Sequence, residues 1–242
     1  MAKAPRPGQV KTRLVPPLST AEATALNAAF LADITATIAR LAAIAPVSGF
    51  VAYAPAGEAG RFAGLLAPGT QAVLADGRLR LPRAVSGIGR ALVHATRALL
   101  AQGFAAACLV NSDSPTLPQT RLAQAVELLA QGECVVLGPA EDGGYYLIGI
   151  PATLARRAEA LFRDIPWSTT EVTAATRMRA AAAGIPLVCL PPWYDIDDPA
   201  ALARLVAALA PPGRDADHGA GPAPATAACL AGLDLARRLA GR

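Results

Sequence analysis

Residues 105–118 read Ala-Ala-Ala-Cys-Leu-Val-Asn-Ser-Asp-Ser-Pro-Thr-Leu-Pro. The continuous apolar run over 105–110 predicts a strand buried on both faces, which is the signature of a sheet covered by helices on either side. It empties into a polar turn that carries Asp113. In open α/β sheets ligands bind beyond the carboxyl ends of the strands, and a carboxylate there can hold a hard cation such as Mg²⁺. Ser112, Asp113 and Ser114 are equally good caps for a following helix. The turn taken alone fits both roles.

The flanking sequence repeats the same grammar of strand and helix. Ser19-Thr20-Ala21-Glu22 matches a capping box, and Leu26, Phe30, Ile34, Ile38 and Leu41 recur at helical spacing behind it. Strands are expected over 47–54 and 70–75, a short helix over 57–66 and a longer one over 89–101. Leu122, Val126 and Leu129 mark a helix that starts near Pro118 and stops at Gly132. A strand over 133–138 then runs into Glu141-Asp142-Gly143-Gly144 and at once into another apolar strand. Asp-Gly is a strong hairpin signal, and the same backbone can face an acceptor whose hydroxyl Asp142 would fix. A helix over 169–183 and a last strand over 186–190 follow. That strand opens into Asp195-Ile196-Asp197-Asp198-Pro199. Three acids in four positions repel one another unless solvent or a cation compensates, and Asp198 before Pro199 also reads as a helix cap.

The N-terminal stretch, Lys3-Ala-Pro-Arg-Pro-Gly-Gln-Val-Lys-Thr-Arg13, is a loop because Pro5, Pro7 and Gly8 forbid regular structure. Lys3, Arg6, Lys11 and Arg13 make it cationic, which suits a polyphosphate as well as it suits a solvated basic terminus. The chain has only two lysines, Lys3 and Lys11, and both lie in this loop. Ser86-Gly87-Ile88-Gly89-Arg90, before a predicted helix, would let a ligand approach backbone amides. As a bare glycine pair it is weak evidence, and a plain loop is the default reading.

The chain has 242 residues, of which 53% are hydrophobic and 17% charged, enough for one sizeable core. A net charge of +4 without a Lys/Arg block argues against nucleic acid as a partner. The apolar tract over 25–45 is broken by Asp33 and Arg40, so no membrane span is expected. No signal segment is read at the start, and the expected location is cytoplasmic. Of the four cysteines, Cys108, Cys134 and Cys189 fall in predicted strands and Cys229 in a C-terminal helix. None makes a C-x-x-C pair, and His94 and His218 are too few and too scattered for a His-based zinc site or triad. The expected organisation is a catalytic domain over residues 1–210, followed by a flexible linker and a C-terminal helix over 211–242.

Five segments together resemble one bacterial family. They are residues 3–14, Ser-Asp-Ser-Pro-Thr-Leu at 112–117, Gly-Pro-Ala-Glu-Asp-Gly-Gly-Tyr-Tyr-Leu-Ile-Gly at 138–149, Ile-Pro-Trp-Ser at 165–168 and Asp-Ile-Asp-Asp-Pro at 195–199. The family comprises glycosyltransferase-A-fold transferases often encoded beside radical-SAM and selenodomain proteins. It is similar to 2-phospholactate guanylyltransferases and, more distantly, to molybdenum-cofactor guanylyltransferases. The resemblance spans about residues 3–206 and implies a three-layer α/β/α nucleotide-diphospho-sugar transferase fold with a mostly parallel sheet. In the family a hydrophobic strand precedes the Lys-Ala-Pro loop, whereas only Met1 and Ala2 precede it here, so the first strand is expected to be missing.

By this resemblance the nucleotide is bound by Lys3, Pro7, Gly8, Lys11, Arg13, Gly87 and Gly89. Asp113 and Asp197 hold Mg²⁺ or Mn²⁺ and approach each other across the mouth of the sheet. Asp142, Gly143, Gly144 and Ser168 face the acceptor. Catalysis would rest on Lys11, Arg13, Asp113 and Asp142. The first reaction expected is transfer of a nucleoside monophosphate from a triphosphate to a phosphorylated small molecule, with pyrophosphate leaving. The second is glycosyl transfer from a nucleotide sugar, with Asp142 or Glu141 as base, and the third is an inactive nucleotide-binding relative.

Overall fold

In the computed structural model, which describes residues 1–77, 79–210, 220–233, 235 and 238, strands and helices alternate along the chain. In order they are β1 (Ala2–Lys3), α1 (Thr20–Ala42), β2 (Phe50–Ala54), β3 (Gln71–Leu74), α2 (Gly87–Leu100), β4 (Ala106–Val110) and α3 (Gln119–Gln131). There follow β5 (Val135–Pro139), β6 (Tyr145–Pro151), α4 (Ala155–Ala158), α5 (Val172–Ala182), β7 (Leu187–Cys189), α6 (Pro199–Leu209) and α7 (Pro224–Ala231). The expected short helix over 57–66 is a single 3₁₀ turn, Ala59–Phe62.

The strands form two ladders, β1-β2-β3 and β4-β6-β5-β7. The pairs β1/β2, β2/β3 and β5/β7 are parallel, and β6 runs antiparallel to both β4 and β5. Helices cover both faces. On one side Phe30 of α1, Leu122 of α3, Leu202 of α6 and Leu230 of α7 share one buried cluster with Val136. On the other side Leu92 of α2, Ala180 of α5 and Phe162 share a second cluster with Val135 and Leu137. Successive residues of β5 therefore feed opposite cores, as the period of two in a strand requires. This is the three-layer arrangement that the resemblance implies.

Local chemistry fixes the helix ends. Ser19 and Glu22 form the reciprocal capping box, with Ser19 N–H donating to Glu22 Oε2 at 2.7 Å and Glu22 N–H to Ser19 Oγ at 3.2 Å. Asp198 caps α6 through Ala201 N–H at 2.8 Å, and Gly132 ends α3 in the left-handed conformation. The residue before α3 is Pro118, with no side-chain cap. Asp113 lies too far upstream to cap that helix, which removes one of the two roles open to it.

Among the described residues, α1 alone is long and apolar enough to cross a membrane, and half of its most apolar window is buried in the domain. Its buried Asp33 accepts hydrogen bonds from Ala225 N–H at 3.0 Å and Thr226 N–H at 2.7 Å, capping α7. The C-terminal helix is thus seated on α1 by a carboxylate from the opposite end of the chain. The expected linker falls largely on 211–219 and His218 falls within it, both outside the described residues. All four cysteines are free.

Candidate active site

The carboxyl ends of β1, β4, β5 and β7 open onto one mouth, and the loops there are stitched together by backbone bonds. Ile196 N–H donates to Asp113 C=O at 2.9 Å, Glu141 N–H to Trp193 C=O at 3.0 Å, and Trp193 N–H to Pro139 C=O at 3.1 Å. Ser114 Oγ donates to Tyr194 C=O, and Thr116 Oγ1 bonds the Tyr194 hydroxyl, each at 3.0 Å. These contacts fix the turn after β4 against the loop after β7. Asp113 and Asp197 consequently meet.

They meet at Lys11. Its ammonium lies 2.6 Å from Asp113 Oδ1 and 2.9 Å from Asp197 Oδ1, and donates a third bond to Ile196 C=O at 2.8 Å. Its side chain is only 4% exposed, and Phe30 lies beneath it with the ring centroid 5.5 Å away. An ammonium has three donors, and all three are directed at protein acceptors. Burial works to lower the Lys11 pKa, but Asp113 and Asp197 together outweigh it and hold the group above its usual range. Lys11, expected to meet phosphate directly, is instead a buried clamp on two carboxylates, because their negative charge lies nearest to it.

The rest of the N-terminal loop is open. Lys3, Pro7, Gly8 and Arg13 are exposed, while Arg6 is held by Glu58, with Nε 3.0 Å from Oε2. Lys11 itself sits at positive φ (49°), which turns its side chain inward while Arg13, two residues on, remains outside.

Two more carboxylates face this cluster. Asp142 Oδ1 accepts from Gly144 N–H at 2.8 Å in a tight turn between β5 and β6. Asp195 was not singled out by the sequence. Burial first, then the negative charges of Asp142, Asp197 and Asp113, push its carboxyl up to about 7. The one signal that could have found it was the crowding of three acids in 195–198, which required at least one of them to face other charges. Four carboxylates and one ammonium leave an excess of negative charge, the condition under which hard oxygen donors take up a cation. Among the described residues no group of three or more side chains already has the geometry of a metal cage.

The turn at 142–144 packs against the segment that begins α5. Gly143 has φ +91°, and a Cβ there would collide with Thr170 C=O. Thr173 N–H donates to Gly143 C=O at 2.8 Å, so the 142–144 turn lies against the segment that carries exposed Ser168. Gly87 and Gly89 lie at the start of α2, where Ser86 gives no side-chain cap. Gly89 is buried, and a Cβ on it would come within 2.9 Å of the Trp167 ring. The need for glycine at 89 is thus met by packing against Trp167 rather than by an open approach to a ligand. Gly87 is exposed, and a Cβ on it would also stand 3.1 Å from the Trp167 ring, at a φ of +53° that favours glycine.

Fold and site together define an α/β domain of the nucleotide-diphospho-sugar transferase type with an acidic, lysine-clamped mouth. The chain belongs to the bacterial family described as "Uncharacterized protein conserved in bacteria" (DUF2064), which matches residues 37–169. That match includes Asp113 and Asp142 and leaves Lys11 and Asp197 outside it. Among solved structures the chain is similar to a candidate nucleotide-diphospho-sugar transferase from Desulfovibrio desulfuricans G20. The two are 26% identical with a TM-score of 0.76, over 98% of this chain and 95% of that one. No curated protein matches the chain.

Proposed function

We propose that this protein is a divalent-cation-dependent transferase that uses a nucleotide donor, and that its reaction is nucleotidyl transfer to a phosphorylated small molecule. The observation that carries the reading is the meeting of Asp113 and Asp197 on Lys11 beneath an exposed cationic loop. An oxygen of the acceptor phosphate attacks the α-phosphorus of the nucleoside triphosphate. The bond from that phosphorus to the oxygen bridging the α- and β-phosphates breaks, and pyrophosphate leaves.

Each residue then has a stated task. Asp113 and Asp197 are the carboxylates that would hold Mg²⁺ or Mn²⁺, which when bound neutralises charge on the phosphates. Lys11 keeps the two carboxylates turned toward one point. Arg13 and Lys3, exposed on the loop above, receive the triphosphate, with Pro7 and Gly8 shaping the backbone between them. Gly87 offers amides at the α2 N-terminus. Asp142, Gly143, Gly144 and Ser168 bind the acceptor. Such a site works by positioning and charge neutralisation and requires no histidine base. This accords with the resemblance to guanylyltransferases.

A second reading, glycosyl transfer from a nucleotide sugar, is favoured by the likeness to the Desulfovibrio protein. In that reaction Asp142 is the candidate base, since Glu141 is paired with Arg204 at 2.6 Å. A thermal-shift screen of nucleoside triphosphates and nucleotide sugars, each with and without Mg²⁺, tests the proposal. Cation-dependent stabilisation by triphosphates supports it. Stabilisation by nucleotide sugars alone overturns it.

A further inference from the structure

The C-terminal segment, to which the sequence assigns no chemistry, reaches the turn that carries Asp113. Gly221 N–H donates to Thr116 C=O at 2.7 Å, three residues beyond that aspartate. The two backbones lie so close that a Cβ on Gly221 would stand 2.8 Å from Leu117 C=O and 3.4 Å from Thr116 C=O. Backbone atoms cannot swing aside as the end of a long side chain can. Any larger residue at 221 must therefore push either the segment or the turn away.

The segment is seated like a core element. Buried Asp33 caps α7 through the amides of Ala225 and Thr226, and Ala223 and Leu230 are buried with it. Ala220, Leu230 and Leu117 belong to one apolar cluster with Leu14 and Phe30. Phe30 lies beneath the Lys11 ammonium, and Asp33 stands three residues further along the same face of α1. One helix thus carries both the support for Lys11 and the seat of the C-terminal segment. From Thr116 the contacts run on to the acids: Thr116 Oγ1 bonds the Tyr194 hydroxyl, Ser114 Oγ donates to Tyr194 C=O, and Ile196 N–H donates to Asp113 C=O. Ser114 and Thr116 are fully buried, so neither can exchange these partners for water.

We infer that residues 220–231 are a brace for the Asp113 turn, and that Gly221 and Asp33 are positioning residues of the site. Asp33 fixes the brace to α1. Gly221 carries that fixed position across to Thr116, which holds the turn where Asp113 meets Lys11. Neither residue touches a reacting group. Resting on the function proposed above, the same brace sets where Asp113 stands against Asp197 and hence how tightly the pair holds a divalent cation.

Gly221→Ala tests this in the full chain through two readouts, amide exchange and Mn²⁺ affinity. Exchange at Ile196, whose N–H reaches Asp113 C=O, should quicken about tenfold more than exchange at Val136 in β5. Mn²⁺ should bind about threefold more weakly, or worse. Leu92→Ala, in the cluster on the opposite face of the sheet, controls for general destabilisation. It should lower the melting temperature, quicken both amides alike and leave Mn²⁺ affinity unchanged. Asp33→Asn, which keeps Gly221 in place, should repeat the Gly221→Ala pattern, and it decides the matter if that variant does not fold. Equal quickening at Ile196 and Val136, or selective quickening with parental Mn²⁺ affinity, would overturn the brace. A parent chain that binds no Mn²⁺ would sink the proposed cation site instead, and exchange at Ile196 would then decide the brace alone.

Discussion

Lys11 Nζ lies 2.6 Å from Asp113 Oδ1, across a separation of more than a hundred residues in sequence. The same ammonium holds Asp197 at 2.9 Å. One buried cation thus organises two carboxylates that come from the ends of different strands.

Replacing Lys11 with Met should therefore leave both carboxylates and Ile196 C=O without their donor. Asp113 and Asp197 are 31% and 44% exposed, so water recovers part of the loss, and the expected cost is about 2 kcal/mol. That corresponds to a fall of roughly 4 to 8 °C in melting temperature. Mg²⁺ should stabilise the Met variant more than the parent, because a cation then replaces the missing ammonium. Unchanged melting in the variant would refute the clamp.

Asp195 gives a pH signature. Its carboxyl is raised to about 7 in the folded protein, above the ordinary value of 3.8, so the folded state holds this proton more tightly than the unfolded state. Its contribution to stability is fully present below about pH 4 and is lost as pH rises toward 7. Asp195→Asn should abolish that loss, so the variant gains on the parent steadily from pH 4 to pH 7 in thermal melts. A constant difference across that range would contradict the assignment.

The general architecture was legible because it depends on local patterns. Buried apolar runs such as 105–110 became β4 and β5, the capping box opened α1, and Gly132 stopped α3. The meeting of Asp113 with Asp197 followed from placing both at carboxyl ends of strands in one sheet. What could not be read was which partner each charged group would find. Lys11 and Asp197 are 186 residues apart, and no spacing rule shows that the lysine turns inward to a carboxylate instead of outward to phosphate. Asp195 was hidden for a related reason: among crowded acids only the fold decides which one is turned toward the others. The packing role of Gly89 is invisible in sequence because Trp167, which packs on it, comes from a distant segment.

Asp33 tests the seating of the C-terminal helix. Asp33→Ala removes the acceptor for Ala225 and Thr226 amides in a buried setting, at an expected cost of about 1 to 2 kcal/mol. Amide exchange in α7 should accelerate while exchange in β5 and β6 changes little. Uniform acceleration throughout the domain would show that α7 is not a separable seat.

Gly143 tests the acceptor side. A side chain at its φ of +91° is strained, and the Cβ would collide with Thr170 C=O. Gly143→Ala should lower turnover at least tenfold and raise the KM for acceptor, with nucleotide binding in thermal shift retained. Loss of nucleotide binding together with acceptor use would place this turn on the donor side instead.

The most direct test of the reaction is to identify the leaving group. The purified protein is incubated with Mg²⁺, a phosphorylated acceptor pool and either nucleoside triphosphates or nucleotide sugars, and the released product is resolved by phosphorus NMR. The account predicts pyrophosphate from a triphosphate, abolished by Asp113→Asn and by chelation of the metal. Release of a nucleoside diphosphate from a nucleotide sugar, with triphosphates left intact, would contradict it.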